Sequence, residues 1–298
     1  MKRTSELRRI LRQDGPVIVP GATDCFVAKL IEDAGFPVVY VTGAGVTNTM
    51  LGEPDVGLIT LTELAERAGR IAQAVNVPVF ADCDTGFGGV HNVKRTVREY
   101  ERAGIAGLHI EDQVMPKRCG HFEGKAVVPV DEMLYRLQAA IDARTDPDFL
   151  IIARTDARAV EGLDAAIERA RAYRALGADA LFIEAPQSVE ELERIAAEFP
   201  DTILLINQVE RGKTPLLPAT TLGKMGFKIC LYPNAALYLG AYAVREGLRV
   251  LRETGSTTSL FDRMLTFAER QKLVGLDQAD AYERDLVERV GAARQVRS

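Results

Sequence analysis

Eight short apolar runs recur through the chain, at 17–20, 38–42, 77–81, 107–110, 149–153, 180–183, 203–206 and 228–232. Each is continuously apolar rather than alternating, as expected of parallel strands covered on both faces. The stretches between them have helical periodicity. In 61–75, for example, Leu61, Leu64, Ala68, Ile71 and Val75 form one apolar stripe. Regular alternation of eight strands with helices favours an α/β fold closed as a (β/α)8 TIM-type barrel over an open doubly wound sheet. The 298 residues fit one such barrel, which typically takes about 250. Tryptophan is absent and aromatics make up 6%, so aliphatic side chains must fill most of the interior.

The punctuation agrees with this reading. Thr60 with Glu63 and Ser188 with Glu191 have the spacing of capping boxes. Gly35, Gly104, Gly177 and Gly226 each follow a helical stretch and precede a strand, where a left-handed cap favours glycine. Residues 1–13 are charged and read as a short amphipathic helix with Leu7, Ile10 and Leu11 on one side, unlike a secretory leader. Beyond residue 253 the pattern changes. A linker at 255–259 precedes helical segments at 260–273 and 280–293, more than a barrel needs to close. The expected organisation is one barrel domain over 1–298, with 255–298 as a helical extension suited to an oligomer contact.

A net charge of −5 argues against nucleic acid or an anionic membrane surface as a partner, since both call for a basic face. No run approaches the roughly 20 apolar residues that span a bilayer. Cys25, Cys83, Cys119 and Cys230 are scattered without metal-ribbon spacing, which fits a reduced, cytoplasmic enzyme.

In a barrel of this kind chemistry collects where strands end, and here the exits are polar. Asp82 and Asp84 stand two apart, a spacing that on extended backbone points both carboxylates the same way. With Glu111 from the next exit they form an oxygen-rich set that calls for Mg2+ or Mn2+ rather than zinc. Alternatively, these acids cap helices or pair with nearby cations. The Gly43-Ala44-Gly45 segment reads as a loop whose backbone N–H groups can approach an anion. Arg154 has the geometry to grip a substrate carboxylate, or to pair with one of the acids. Cys119 is flanked by Lys117, Arg118 and His121, a cationic setting that favours thiolate. It lies in a connection longer than most βα loops, with Gly120 and Gly124 as hinges, as in a lid bearing a catalytic acid. His91 and His109 read as structural, one starting a helix and the other inside a strand.

The motifs Ala81-Asp-Cys-Asp-Thr-Gly86, His109-Ile-Glu-Asp-Gln113 and Lys117-Arg-Cys-Gly-His121, with Ala153-Arg-Thr-Asp156 and Ile183-Glu-Ala-Pro186, resemble the isocitrate lyase/phosphoenolpyruvate mutase superfamily. Within it they resemble the 2-methylisocitrate and 2,3-dimethylmalate lyases. The resemblance implies a tetramer of barrels whose last helices pack on neighbouring subunits, and a Mg2+ or Mn2+ ion with Asp82 as direct ligand. It places Asp84, Glu111 and Asp55 around metal-bound water. Thr42, Gly43, Ala44, Gly120, Arg154, Glu184 and Asn207 become the set around a small carboxylate substrate. Cys119 becomes the proton donor, with Lys117 and His121 positioning it. Thr42 stands where lyases often have serine, and 122–125 and 212–215 look more like the alkylmalate lyases. The implied reaction is cleavage of a 2-hydroxy dicarboxylate to pyruvate or a related 2-oxo acid. Oxaloacetate hydrolysis or decarboxylation and phosphonate formation are the alternatives within the superfamily. A Schiff-base aldolase would need lysine at a strand exit, and none of the exits has one.

Overall fold

The structure is a computed structural model describing residues 1–120 and 122–295, with side chains described up to 290. Eight parallel strands close into a barrel in sequence order, with the last pairing the first. They are β1 (Val17–Ala22), β2 (Val39–Val41), β3 (Val79–Asp82), β4 (Gly107–Glu111), β5 (Leu150–Thr155), β6 (Ala180–Ile183), β7 (Ile203–Asn207) and β8 (Phe227–Tyr232). Each coincides with an expected apolar run, with ends shifted by a residue or two.

The helices are α1 (Arg3–Leu11), α2 (Cys25–Asp33), α3 (Gly43–Leu51), α4 (Leu61–Ala74), α5 (Val90–Arg102), α6 (Val130–Ala143), α7 (Ala157–Val160), α8 (Leu163–Leu176), α9 (Val189–Glu198), α10 (Ala219–Met225), α11 (Ala235–Thr254), α12 (Phe267–Leu273) and α13 (Leu276–Gln295). Thr60 and Glu63 form the expected reciprocal capping box on α4. At α9 only half of it forms. Ser188 accepts from the Glu191 N–H, but the Glu191 carboxylate is taken by the Gln187 N–H and by Arg158. An arginine fork outcompetes the local cap because both of its N–H groups reach the carboxylate.

Two apolar layers follow from the two faces of the strands. Outward-facing Val41, Ala81, Leu108, Ile151 and Leu181 pack with the helices, for example against Leu64, Val97, Leu137 and Tyr173. Inward-facing Tyr40, Phe80, Ile152, Phe182 and Leu205 fill the lumen, where Leu7, Ile10 and Leu11 of α1 join them. The amphipathic N-terminal segment thus extends the lumen cluster rather than lying free.

The chain divides into two compact units, Met1–Tyr238 and Leu239–Ser298. The division falls inside α11, upstream of the expected linker at 255–259, because 235–254 run on as one helix. The expected helix at 260–273 is interrupted: a 3-10 turn at Thr258–Arg263 precedes α12, which Thr266 and Glu269 start with a capping box of their own. Leu248, Phe261, Phe267 and Val287 of the second unit are exposed.

One core contact reaches directly under the strand exits. Tyr100 of α5 is fully buried and its hydroxyl donates to the Asp82 carbonyl at 2.6 Å. Tyr100→Phe should lower the unfolding free energy by about 1–2 kcal/mol, the cost of a buried acceptor losing its donor. Urea denaturation followed by circular dichroism will check this, and an unchanged midpoint would contradict it.

Candidate active site

The register of the parallel strands determines which side chains meet. Asp82 of β3 lies beside His109 of β4, and Glu111 of β4 lies beside Arg154 of β5. Arg154 in turn lies beside Phe182 of β6, and its guanidinium carbon sits 5.0 Å above that ring. A cavity of about 220 Å³ opens over these ends, lined in part by Thr42, Ala44, Asp55, Asp82, Lys117, Cys119, Gly120, Arg154, Glu184 and Asn207. Asp84 and Glu111 lie buried outside that lining, and Gly43 backs it. A Cβ on Gly43 would stand 2.5 Å from Asp82 Oδ2, so only glycine admits the carboxylate there. His121 falls outside the described residues.

The expected extended run through Asp84 is not formed. β3 ends at Asp82, Asp84 adopts a left-handed φ of 48°, and its N–H donates to Asp82 Oδ1 at 2.9 Å. The Gly43-Ala44-Gly45 segment is likewise no loop. It is the first turn of α3, capped by Thr42, whose hydroxyl accepts from the Gly45 N–H at 3.2 Å. First-turn N–H groups have no intrahelical acceptor and carry the positive end of the helix dipole, so the anion-facing role expected of a loop passes to a helix terminus.

Lys117 has a different setting from the one expected. Its ammonium is buried between Asp55, at 2.5 Å, and Asp84, at 2.8 Å, rather than standing as a free cation beside the thiol. Those two carboxylates hold its pKa well above the usual value, against the effect of burial. Burial pushes the Asp84 carboxyl up to about 7 even with Lys117 beside it. Arg154 is similarly engaged, forked onto Asp156 at 2.9 and 3.2 Å and 3.3 Å from Glu111. The alternative read from sequence, that the exit acids pair with nearby cations, holds for Asp84 and Glu111, and Asp55 shares Lys117 with Asp84. Asp82 is different. Burial opposes its charge, yet His109, Lys117 and Arg154 face it and hold its pKa below the usual carboxylate range.

His109 is more than a strand filler. It is wholly buried, its Nε2 lies 2.7 Å from the Tyr40 hydroxyl, and its ring stacks on Tyr40 and meets Phe182 edge-on. Nδ1 stands 3.7 Å from Asp82 Oδ1. Burial lowers its pKa to about 4, so at neutral pH it is an uncharged support and the cations near Asp82 are Lys117 and Arg154. Tyr40 also lines the cavity. An apolar strand pattern could not single out these two, because their meeting depends on register between strands.

The Cys119 connection is an organised hairpin. Val114 donates to the Ala126 carbonyl at 2.8 Å and Gln113 bridges antiparallel to Val127. The Gln113 side-chain amide grips Arg118 from both sides, taking its N–H at 2.9 Å and giving to its carbonyl at 2.8 Å. Arg118 and Phe122 from this hairpin, with Val209, Pro233 and Tyr238, complete much of the cavity wall. Of the last three, Pro233 directly follows β8 and so falls at a strand exit, while nothing local marks Val209 or Tyr238.

Among the described residues, no three or more histidine, cysteine, aspartate or glutamate side chains converge to hold a metal ion. A hard cation that keeps several waters needs only one or two protein carboxylates. Asp82, ionised and facing the cavity, is one such donor, and Glu111 Oε1 is buried without a hydrogen-bond partner. The donor set therefore fits a mostly hydrated Mg2+ or Mn2+.

An anion-lined cavity with an ionised carboxylate, an arginine and a thiol at the strand ends of a (β/α)8 barrel defines an enzyme of small organic acids. The phosphoenolpyruvate phosphomutase family model matches residues 7–251, and the chain belongs to that family. It is 46% identical to a 2,3-dimethylmalate lyase of Eubacterium barkeri, over 95% of this chain and 98% of that protein. An oxaloacetate acetylhydrolase in complex with 3,3-difluorooxalacetate superposes with a TM-score of 0.92 at 37% identity, covering 96% of this chain and 97% of the other. A phosphonopyruvate hydrolase complexed with oxalate and Mg2+ gives 0.85 at 29% identity, covering 95% and 99%.

Lys117→Met should leave Asp55 and Asp84 buried without their shared cation and cost about 3–5 kcal/mol of stability. Urea unfolding at neutral pH measures it. A variant as stable as the parent would show that Lys117 does not neutralise these acids.

Proposed function

We propose that the protein is a metal-dependent carbon–carbon lyase that cleaves a 2-hydroxy dicarboxylate, a 2-alkylmalate such as 2,3-dimethylmalate or else 2-methylisocitrate, to pyruvate or a related 2-oxo acid. The observation that carries this reading is that Cys119, Asp82 and Arg154 line one cavity. A lyase of this kind needs an acid for the departing carbon, an anchor for a cation and a grip for a carboxylate. Similarity over nearly the full length to a dimethylmalate lyase supports it.

A Mg2+ or Mn2+ held through Asp82, with Asp55, Asp84 and Glu111 behind it, would supply Lewis acidity to the substrate hydroxyl and its neighbouring carboxylate. Arg154 and the first-turn N–H groups at Gly43 and Ala44 orient that carboxylate, with Thr42, Gly120, Glu184 and Asn207 around it. Phe122, Val209 and Tyr238 give the alkyl groups an apolar wall. As the carbon–carbon bond breaks, the substrate hydroxyl gives up its proton to solvent and becomes the 2-oxo carbonyl, and the bonding pair goes to the carbon leaving with the second carboxylate. The Cys119 thiol protonates that carbon and later regains a proton from solvent. Lys117 stabilises the surrounding acids. His121 follows Cys119 and Gly120 in sequence and is assigned with them on the motif alone.

The oxaloacetate acetylhydrolase likeness favours a second reading, hydrolysis of oxaloacetate. Assaying a panel of 2-alkylmalates, 2-methylisocitrate and oxaloacetate separates the two. Release of pyruvate or a homologous 2-oxo acid supports the lyase, and release of oxalate from oxaloacetate alone overturns it. Cys119→Ser should retain substrate binding and lose about 10²- to 10⁴-fold in kcat, since a hydroxyl is a far weaker acid. Undiminished cleavage would remove the thiol from the reaction. Asp82→Ala should abolish Mn2+ binding, read by electron paramagnetic resonance, and full activity in excess chelator would exclude the metal altogether.

We further assign the protein to the cytoplasm and to a homotetramer in which the C-terminal helices of one subunit pack on another. No helix among the described residues is long and apolar enough to cross a membrane. None of the residues of α11 is buried, and Leu239, Tyr242 and Leu248 are exposed along it. A monomer in sedimentation experiments at micromolar concentration would contradict the tetramer.

A further inference from the structure

The Cys119 hairpin holds one buried cation with no part in the scheme above. Lys125 stands on the returning arm of the hairpin, just before Ala126 accepts from the Val114 N–H and Val127 bridges Gln113. Its side chain is 1% exposed. The ammonium donates to the Gly120 carbonyl, across the hairpin, and to Asp156 Oδ1 at 2.9 Å. Asp156 is the carboxylate onto which Arg154 is forked. Burial would raise the Asp156 pKa, but Arg154 and Lys125 outweigh it and hold it down to about 2.

Charge explains why the ammonium is tolerated there. Asp156 faces both Arg154 and Lys125, and Glu111 and Glu184 face Arg154 as well. A buried ammonium is costly unless its protons find acceptors. Asp156 alone does not occupy them, and the Gly120 carbonyl takes one more. That carbonyl follows directly on Cys119. The turn is also pressed against the site floor: a Cβ on Gly120 would lie 2.6 Å from Arg154 Nη2. Moving the turn outward would separate the Gly120 carbonyl from the ammonium and leave one of its protons without that acceptor.

We infer that Lys125 is a positioning residue that fixes the Cys119–Gly120 turn over the cavity, by linking the Gly120 carbonyl to Asp156 and through it to Arg154. The inference rests on Cys119 being the proton donor of the proposed reaction. Lys125 touches no substrate itself. It ties the placement of the acid to Asp156, which Arg154 grips through its own fork.

The test uses the full-length enzyme and two readouts. Lys125→Met should lower kcat by about 10- to 100-fold with KM changed less than threefold, the pattern of a misplaced catalytic group. The rate of Cys119 alkylation by iodoacetamide, read by peptide mapping, should rise at least fivefold as the turn leaves the cavity. In Lys125→Ala, added propylammonium should restore part of both, which a general loss of stability would not allow. Lys125→Arg, which keeps a donor, should stay within about tenfold of the parent and serves if the truncations fold poorly. Unchanged kcat with unchanged alkylation in folded Lys125→Met and Lys125→Ala overturns the inference. If the parent enzyme has no lyase activity, the alkylation change and its rescue by propylammonium still support the positioning role. The failure of the lyase reading is then seen separately.

Discussion

Charged groups at the mouth of this barrel lie out of water, so each carboxylate there must be met by a cation or by directed hydrogen bonds. Two side chains answer most of that demand. Lys117 sits between Asp55 and Asp84, and Arg154 between Glu111 and Asp156. Asp82 makes no salt bridge to either cation among the described residues. His109, Lys117 and Arg154 together hold its pKa down, which makes it a donor for a metal. Its position depends on elements far apart in sequence: Tyr100 holds its carbonyl, His109 stands beside its carboxylate, and the missing side chain of Gly43 makes room for it.

A second network lies behind the first. Asp112, at the base of the hairpin, accepts from the Asp156 N–H at 2.9 Å, the Thr155 hydroxyl at 2.7 Å and the Tyr173 hydroxyl at 2.9 Å, with Arg169 at 3.4 Å. Arg169 also donates to the Val128 carbonyl, at the foot of the returning arm. The β5 exit, α8 and both arms of the hairpin are thereby joined through one buried carboxylate. Such a network stiffens the base on which Cys119 is carried, while nearer the tip the Cys119 N–H donates to the Asp55 carbonyl, Lys125 reaches Asp156 and Glu123 pairs with Lys213.

The strands and the capped start of α4 were legible from local pattern because their causes are local. A continuous apolar run needs cover on both faces, and a threonine three residues before a glutamate satisfies N–H groups within its own turn. The acids, the arginine and the cysteine were also legible, since a polar residue ending a greasy strand stands out. What each charged group pairs with was not. Lys117 reads in sequence as a neighbour of Cys119, yet its ammonium reaches Asp55 and Asp84, 62 and 33 residues away. His109 reads as core, and its place beside Asp82 exists only once β3 and β4 are in register. Val209 and Tyr238 carry no local signal of a cavity wall.

By itself the sequence determined the barrel class, the order of its elements and the inventory of reactive groups, because hydrophobic period, caps and side-chain chemistry are properties of neighbours along the chain. The tertiary structure decided which acids are neutralised and which one stays open to a cation. It also turned an expected glycine loop into a helix terminus and placed Lys125 between the cysteine turn and Arg154. Those outcomes are set by strand register and by the cost of burying charge. Both depend on distances between residues remote in sequence, which exist only after the barrel has closed.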